Sequence, residues 1–183
     1  VDNLLERLAA SQKNVVRVGH PARVDQRLRE FTLDFQTSRH EMMEIVRDML
    51  REAEGLFRKA GRYTRAKPAP GAKHEMRREA KRLKTDARLL EQHAVKSVLD
   101  RADVICATTS FNEDLLGDLR FGLVVIDEAC QSTEPGCWIP VLRADRIVLA
   151  GDHCQLPPTV LSKPAAREGL ATSLLERLVS HFG

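Results

Sequence analysis

The chain has 183 residues, 43% apolar and 30% charged, with a net charge of +3, a balance that predicts a globular protein of ordinary domain size. No run approaches eighteen apolar residues, which excludes a membrane-spanning helix. The cysteines Cys106, Cys130, Cys137 and Cys154 form no C-x-x-C pair and have no histidines at zinc-finger spacing, which predicts reduced thiols, an intracellular setting (cytoplasmic or nuclear) and neither a disulfide framework nor a structural zinc.

The first residue is Val1, with no basic region followed by an apolar stretch behind it, so the expectation is an excerpt of a longer protein. Leu4, Leu5 and Leu8 fit a short helix from about Asp2 to Ser11, and Val15, Val16 and Val18 before Gly19 and Pro21 fit a short buried strand. His20 and Arg23, in the turn that follows, are candidates for approach to nucleic acid and equally for capping or packing.

From Arg39 the period changes. Met42, Ile45, Val46, Met49, Leu50, Ala53, Leu56 and Phe57 recur at helical spacing, then Gly61, Pro68, Pro70 and Gly71 interrupt. Met76, Ala80, Leu83, Ala87, Leu90, Ala94 and Val98 resume in steps of three or four, close to a coiled-coil seam. Two long helices joined by a loop predict an antiparallel hairpin. Residues 58–88 hold twelve Lys and Arg against three Asp and Glu, while the segments on either side are mildly acidic. Such a block is either a solvated helix face or a surface for a phosphate backbone, and the imbalance favours the second, with Arg62, Arg65, Lys67, Arg77, Arg78 and Lys81 among the candidates. Tyr63 is the only aromatic in the block, so contact there should be mostly electrostatic.

From Asp103 strands return. Val104 to Ala107, Leu123 to Ile126 and Ile147 to Ala150 are short continuous apolar runs ending in small, hydroxyl or acidic residues, the signature of parallel strands covered on both faces. Helices are expected near Thr133 to Leu142 and Thr172 to Phe182, the latter capped by Thr172 or Ser173. The fold class is therefore α/β, a doubly wound parallel sheet with its ligand at the carboxyl ends of the strands.

Leu123 to Ile126 delivers two adjacent carboxylates, Asp127 and Glu128, to a strand end. Nucleoside triphosphate hydrolysis needs an oxygen ligand for magnesium and a group that orients the attacking water and takes its proton. Asp127 suits the first role and Glu128 the second; taken alone, the pair also fits an ordinary solvated acidic turn. Ile147 to Ala150 runs into a second polar loop, Gly151-Asp152-His153-Cys154-Gln155-Leu156-Pro157-Pro158. In a parallel sheet that loop shares a rim with Asp127, making Gly151, Asp152 and Gln155 candidates for contact with the nucleotide. The Gln155 amide can bond a phosphate oxygen or the attacking water. His153 and Cys154 are neighbours without a further ligand pair in register, so a metal there is not expected.

Val124 to Gln131 (VVIDEACQ) and Leu149 to Pro158 (LAGDHCQLPP) resemble motifs II and III of superfamily 1 helicases, in the branch that includes the nonsense-mediated-decay helicase and the immunoglobulin-mu-binding helicase. Val1-Asp2-Asn3 resembles the end of motif Ia, Val16 to Val24 (VRVGHPARV) the strand and turn after it, and Val104 to Ser110 (VICATTS) motif Ib. The resemblance implies a RecA-like P-loop NTPase domain in two parts, 1–38 and 103–183, with a helical hairpin inserted at 39–102 as a stalk or accessory subdomain. It implies ATP and Mg2+ as cofactors, Asp127 on magnesium, Glu128 as catalytic base and Gln155 coupling phosphate state to grip on nucleic acid. It also places Thr108, Thr109 and Ser110 near the backbone of a single strand of DNA or RNA, and implies movement from 5′ to 3′. Cys154 stands where relatives often carry lysine. No G-x-x-x-x-G-K-[ST] loop occurs in the chain, so the phosphate cradle and the second motor domain are expected from the remaining helicase domains of a parent chain, and the 183 residues alone are predicted inactive. The competing expectation is a non-enzymatic nucleic-acid-binding module with vestigial motor motifs.

Overall fold

A computed structural model describes residues 2–11, 13–19, 24–62, 69–109, 111–152 and 154–182. The chain divides into two compact units, 1–106 and 107–183.

In the first unit, helix α1 (Asp2–Ala9) precedes strand β1 (Val15–Arg17). Leu5, Val15, Val24 and Leu28 form a buried cluster, with Leu8, Phe31, Val104 and Cys106 packed against it. Asp2 lies in the first turn of α1, where a carboxylate is favoured by the helix dipole, and accepts from Arg17 Nε at 3.0 Å. A 3-10 turn, Gln26–Phe31, is capped by Asp25, whose Oδ1 accepts from Arg27 N at 2.9 Å. Thr32 caps helix α2 (Leu33–Ser38) by accepting from Phe35 N. Gln36 Nε2 then reaches the Val15 carbonyl at 3.0 Å and ties α2 to the strand.

Helices α3 (Met42–Gly61) and α4 (Ala72–Asp100) follow. They run antiparallel: His40 meets Ser97 at 3.2 Å, Lys84 lies over Phe57, and Lys73 Nζ donates to the Arg62 carbonyl. The contact between them is a seam of small residues. Val46, Ala53 and Ala60 on one helix and Ala80, Ala87 and Ala94 on the other are buried at steps of seven, the coiled-coil interval, and their small side chains allow close approach. Ile45 and Leu89, by contrast, are half exposed. Because Ala87 is 1% exposed in a seam of small residues, Ala87→Leu is expected to destabilise the pair by about 1–3 kcal/mol. Urea unfolding followed by far-ultraviolet circular dichroism checks this; an unchanged midpoint would show that the seam can open to admit a larger side chain.

Strand β2 (Val104–Cys106) closes the unit by pairing parallel to β1, Val15 opposite Val104 and Arg17 opposite Cys106. All three β1 residues are buried and those of β2 partly so.

In the second unit, a 3-10 turn (Glu113–Leu116) precedes strand β3 (Val124–Ile126), which pairs parallel to β4 (Ile147–Leu149) with Ile126 opposite Leu149. Helix α5 (Glu134–Val141) connects them, with Pro135 in its first turn, where a missing N–H costs nothing. A short helix α6 (Lys163–Ala165), a wider turn over Ala166–Leu170 and helix α7 (Leu174–Phe182) complete the unit. The cap of α7 is Ser173, whose Oγ accepts from Glu176 N at 3.1 Å. Ile126, Ala129, Cys137 and Leu174 form the core, with Val124 and Leu149 against it.

Among the described residues each unit holds one two-stranded parallel ribbon, in keeping with an α/β chain of parallel strands. One expectation needs correction: β3 and β4 are not covered on both faces. Side chains alternate across a strand, so Val124 and Ile126 face the core while Val125, 57% exposed, and its register partner Val148, 46% exposed, look outward together. No helix among the described residues is long and apolar enough to cross a membrane.

Candidate active site

Parallel pairing of β3 and β4 sends both following loops out at the same end of the ribbon. Two backbone hydrogen bonds carry the pairing past the strands: Ala150 N to Ile126 O at 2.9 Å, and Ala129 N to Ala150 O at 2.8 Å. Gly151 makes this approach possible. A Cβ at that position would lie 3.2 Å from Ala129 N and 3.3 Å from Cys130 Sγ, and its φ of 152° disfavours any L side chain.

Asp127 and Glu128 are exposed, whereas Ala129 and Cys130, directly after them, are buried. The acidic pair is thus presented from a turn anchored in the core. Glu128 has φ 53° and ψ 41°, the only non-glycine positive φ among the described residues, a conformation costing on the order of 1–2 kcal/mol. It ends the strand abruptly and starts a 3-10 turn, Ala129–Gln131. The turn returns Gln131 beneath the carboxylate, where its Nε2 donates to Glu128 Oε2 at 3.2 Å. Asp127 Oδ1 accepts from Glu128 N at 3.1 Å. Gln131 had no role in the sequence reading; its spacing of three from an acid at a helix start was the available signal.

The second loop is organised by Asp152. Its Oδ1 accepts from Cys154 N at 2.9 Å and its Oδ2 from Gln155 Nε2 at 3.4 Å, while its carbonyl accepts from Gln155 N. Asp152 therefore shapes the loop with its carboxylate, and Gln155 is exposed on it. The donor set suits a magnesium-bound triphosphate: Asp127 offers an exposed hard oxygen ligand, and magnesium keeps most of its waters. Among the described residues no group of three or more His, Cys, Asp or Glu converges to hold a metal by protein ligands alone.

The other predicted residues that the structure describes lie on elements away from β3 and β4 in sequence. Thr108 and Thr109 are exposed just after β2, and the Thr108 carbonyl accepts from Phe111 N. Arg62 is exposed at the end of α3, and Arg77, Arg78 and Lys81 are exposed along α4. His20, Arg23, Tyr63, Arg65, Lys67, Ser110 and His153 lie outside the described residues. The cysteines are free. Burial raises the Cys106 thiol pKa against the pull of the Arg17 guanidinium, and burial with the Glu134 carboxylate raises that of Cys137; both thiols are poor nucleophiles.

A family described as AAA domain matches residues 1–163. The chain is 41% identical, over its whole length, to DNA-binding protein SMUBP-2 of Mesocricetus auratus, of which it covers 19%. It is 32% identical over its whole length to DNA polymerase alpha-associated DNA helicase A of Schizosaccharomyces pombe, covering 26% of that protein. It is 37% identical to a regulator of nonsense transcripts 1 homolog of Arabidopsis thaliana, over 98% of this chain and 13% of the relative. These similarities agree with the resemblance to the nonsense-mediated-decay and immunoglobulin-mu-binding branch carried by the motifs. The chain spans about a fifth of the length of the first of these relatives.

Proposed function

The chain belongs to the AAA domain family, and from that premise we propose that it is the segment of an ATP-dependent superfamily 1 helicase or translocase that carries the hydrolytic carboxylates and the coupling glutamine. The observation that carries this reading is the register of β3 with β4, which sends the Asp127-Glu128 pair and the Gln155 loop out at one ribbon end. When bound, magnesium would neutralise charge on the β- and γ-phosphates. Asp127 would hold it with a carboxylate oxygen. Glu128, its carboxylate oriented by Gln131, aligns a water and takes its proton. Gln155 bonds a phosphate oxygen while one is present and relaxes onto Asp152 when it has left, so the loop registers nucleotide state.

In this reading 1–38 and 103–183 are parts of the first motor domain, and 39–102 is a helical hairpin inserted between them. The outward Val125 and Val148 would be covered by helices from the rest of a protein of the relatives' length, which would also supply the phosphate loop and second motor domain. Single-stranded DNA or RNA is the track, taken 5′ to 3′, with Thr108, Thr109 and the basic face of the hairpin contacting its backbone. A pure binding module would not need Glu128 held in a strained turn with a glutamine against its carboxylate. The test is steady-state ATP hydrolysis with and without a single strand. The full-length protein should turn over ATP faster with the strand present, and the 183-residue chain alone should show none. A full-length protein inert with nucleic acid and magnesium would leave the binding-module reading in its place.

A further inference from the structure

The basic hairpin carries an asymmetry that its net charge does not convey. On α4 the cations Lys73, Arg77, Lys81, Lys84 and Arg88 recur at steps of four, four, three and four residues, which keeps them along one edge of the helix. The ion pairs of α4 among the described residues all lie off this edge: Arg82 with Glu79 and Asp86, and Lys96 with Asp100. Lys84 instead sits over the ring of Phe57 on α3, its Nζ 5.1 Å from the ring centroid. Beside that contact lies an open groove of about 540 Å³ lined by Glu54, Phe57, Arg58 and Lys84. Phe57, one of the apolar residues at helical spacing in the first long helix, is partly exposed, with a ring face that an exposed lysine reaches from solvent.

We propose that the Phe57 groove is a stacking site for one base of a single-stranded nucleic acid, with the Lys73 to Arg88 edge carrying the flanking phosphates. This rests on the nucleic-acid reading of the hairpin and goes beyond it, because it adds a defined base contact to what composition alone makes mostly electrostatic. A ring face in an open groove stacks any base, and sequence tolerance follows. The lysine over the ring has a flexible stem, so an arriving base displaces the ammonium toward a phosphate at little cost. Glu54, the one carboxylate lining the groove, is placed to accept from a base amino or imino group. The edge from Lys73 to Arg88 spans about 22 Å at ~1.5 Å per residue, or roughly six stacked nucleotides at ~3.4 Å each.

The test uses the full-length protein, a fluorescein-labelled oligothymidylate about twelve nucleotides long, the equivalent oligouridylate, and an abasic strand of the same length. Phe57→Leu keeps an apolar side chain in place but removes the π face. It is expected to weaken binding to both base-bearing strands by about fivefold or more and to leave the abasic strand and the salt dependence unchanged. Replacing Lys81 and Lys84 by Gln should lower the slope of log K against log salt by roughly 0.7 per lysine on all three strands. Equal binding of wild type and F57L to the base-bearing strands, or an equal loss on the abasic strand, overturns the stacking site alone. Failure of the wild-type protein to bind any strand overturns the nucleic-acid reading of the hairpin with it.

Discussion

Glu128→Gln in the full-length protein is expected to lower ATP turnover by about 10²–10⁴-fold while leaving ATP binding intact. The size follows from what is removed. The amide is close in shape to the carboxylate, and its oxygen can still accept from Gln131 Nε2, the contact made at 3.2 Å by Glu128 Oε2. The left-handed turn at φ 53° and the buried anchor behind it are untouched. Only the capacity to take a proton from water is lost. Asp127 still offers its oxygen ligand, so nucleotide affinity should hold. Single-turnover hydrolysis alongside equilibrium binding of a fluorescent ATP analogue separates the two quantities; unimpaired hydrolysis by E128Q would remove Glu128 from the role of base. Gln131→Ala provides the graded companion. It releases the Glu128 carboxylate without changing its chemistry, so a partial loss of turnover is the expected signature of a positioning residue.

The strands and the two polar loops were legible because each carries a strong local signal: a continuous apolar run followed at once by groups that cannot be buried. Val124 to Ile126 before Asp127 is the clearest instance, and the strand begins and ends within a residue of the expected limits. Helix α2 and the 3-10 turns were not legible, since six residues or fewer hold too little periodicity to separate helix from loop, and their start signals, Asp25 and Thr32, are ordinary turn residues. The exposed face of Val125 and Val148 shows a different failure. An apolar run reports what a strand can tolerate on both sides, and only the neighbouring elements decide whether both sides are covered. At the site, the two carboxylates could be read from the sequence, but the clasp by Gln131 and the internal bonding of Asp152 could not, because they depend on the left-handed backbone at Glu128 and on the loop closing over its own amides. Phe57 marks the same limit in the hairpin. Its spacing places it near the seam, and a small rotation of the helix about its axis decides between core and rim.

Gly151→Val is expected to destabilise the second unit by about 2–4 kcal/mol and to take ATP turnover down with it. Two penalties coincide at this residue. A φ of 152° is poorly suited to any side chain, and the added Cβ would meet backbone, Ala129 N at 3.2 Å, which cannot swing aside as a side-chain tip can. Relief requires the Gly151 loop to separate from the Ala129 turn, and that separation breaks the 2.8 Å bond from Ala129 N to Ala150 O. The turn so released is the one that holds Glu128 against Gln131. Stability and chemistry are therefore coupled through one glycine, in contrast to Gly55 in the middle of α3, whose added Cβ would meet nothing within 4 Å. Gly55→Ala should stabilise by about 0.4–1 kcal/mol, because it narrows the unfolded ensemble and suits a helix. Urea midpoints of the two variants should consequently move in opposite directions from wild type. A Gly151 variant as stable as wild type would mean that the loops are not held together at Ala129, and the shared rim for Glu128 and Gln155 would lose its physical basis.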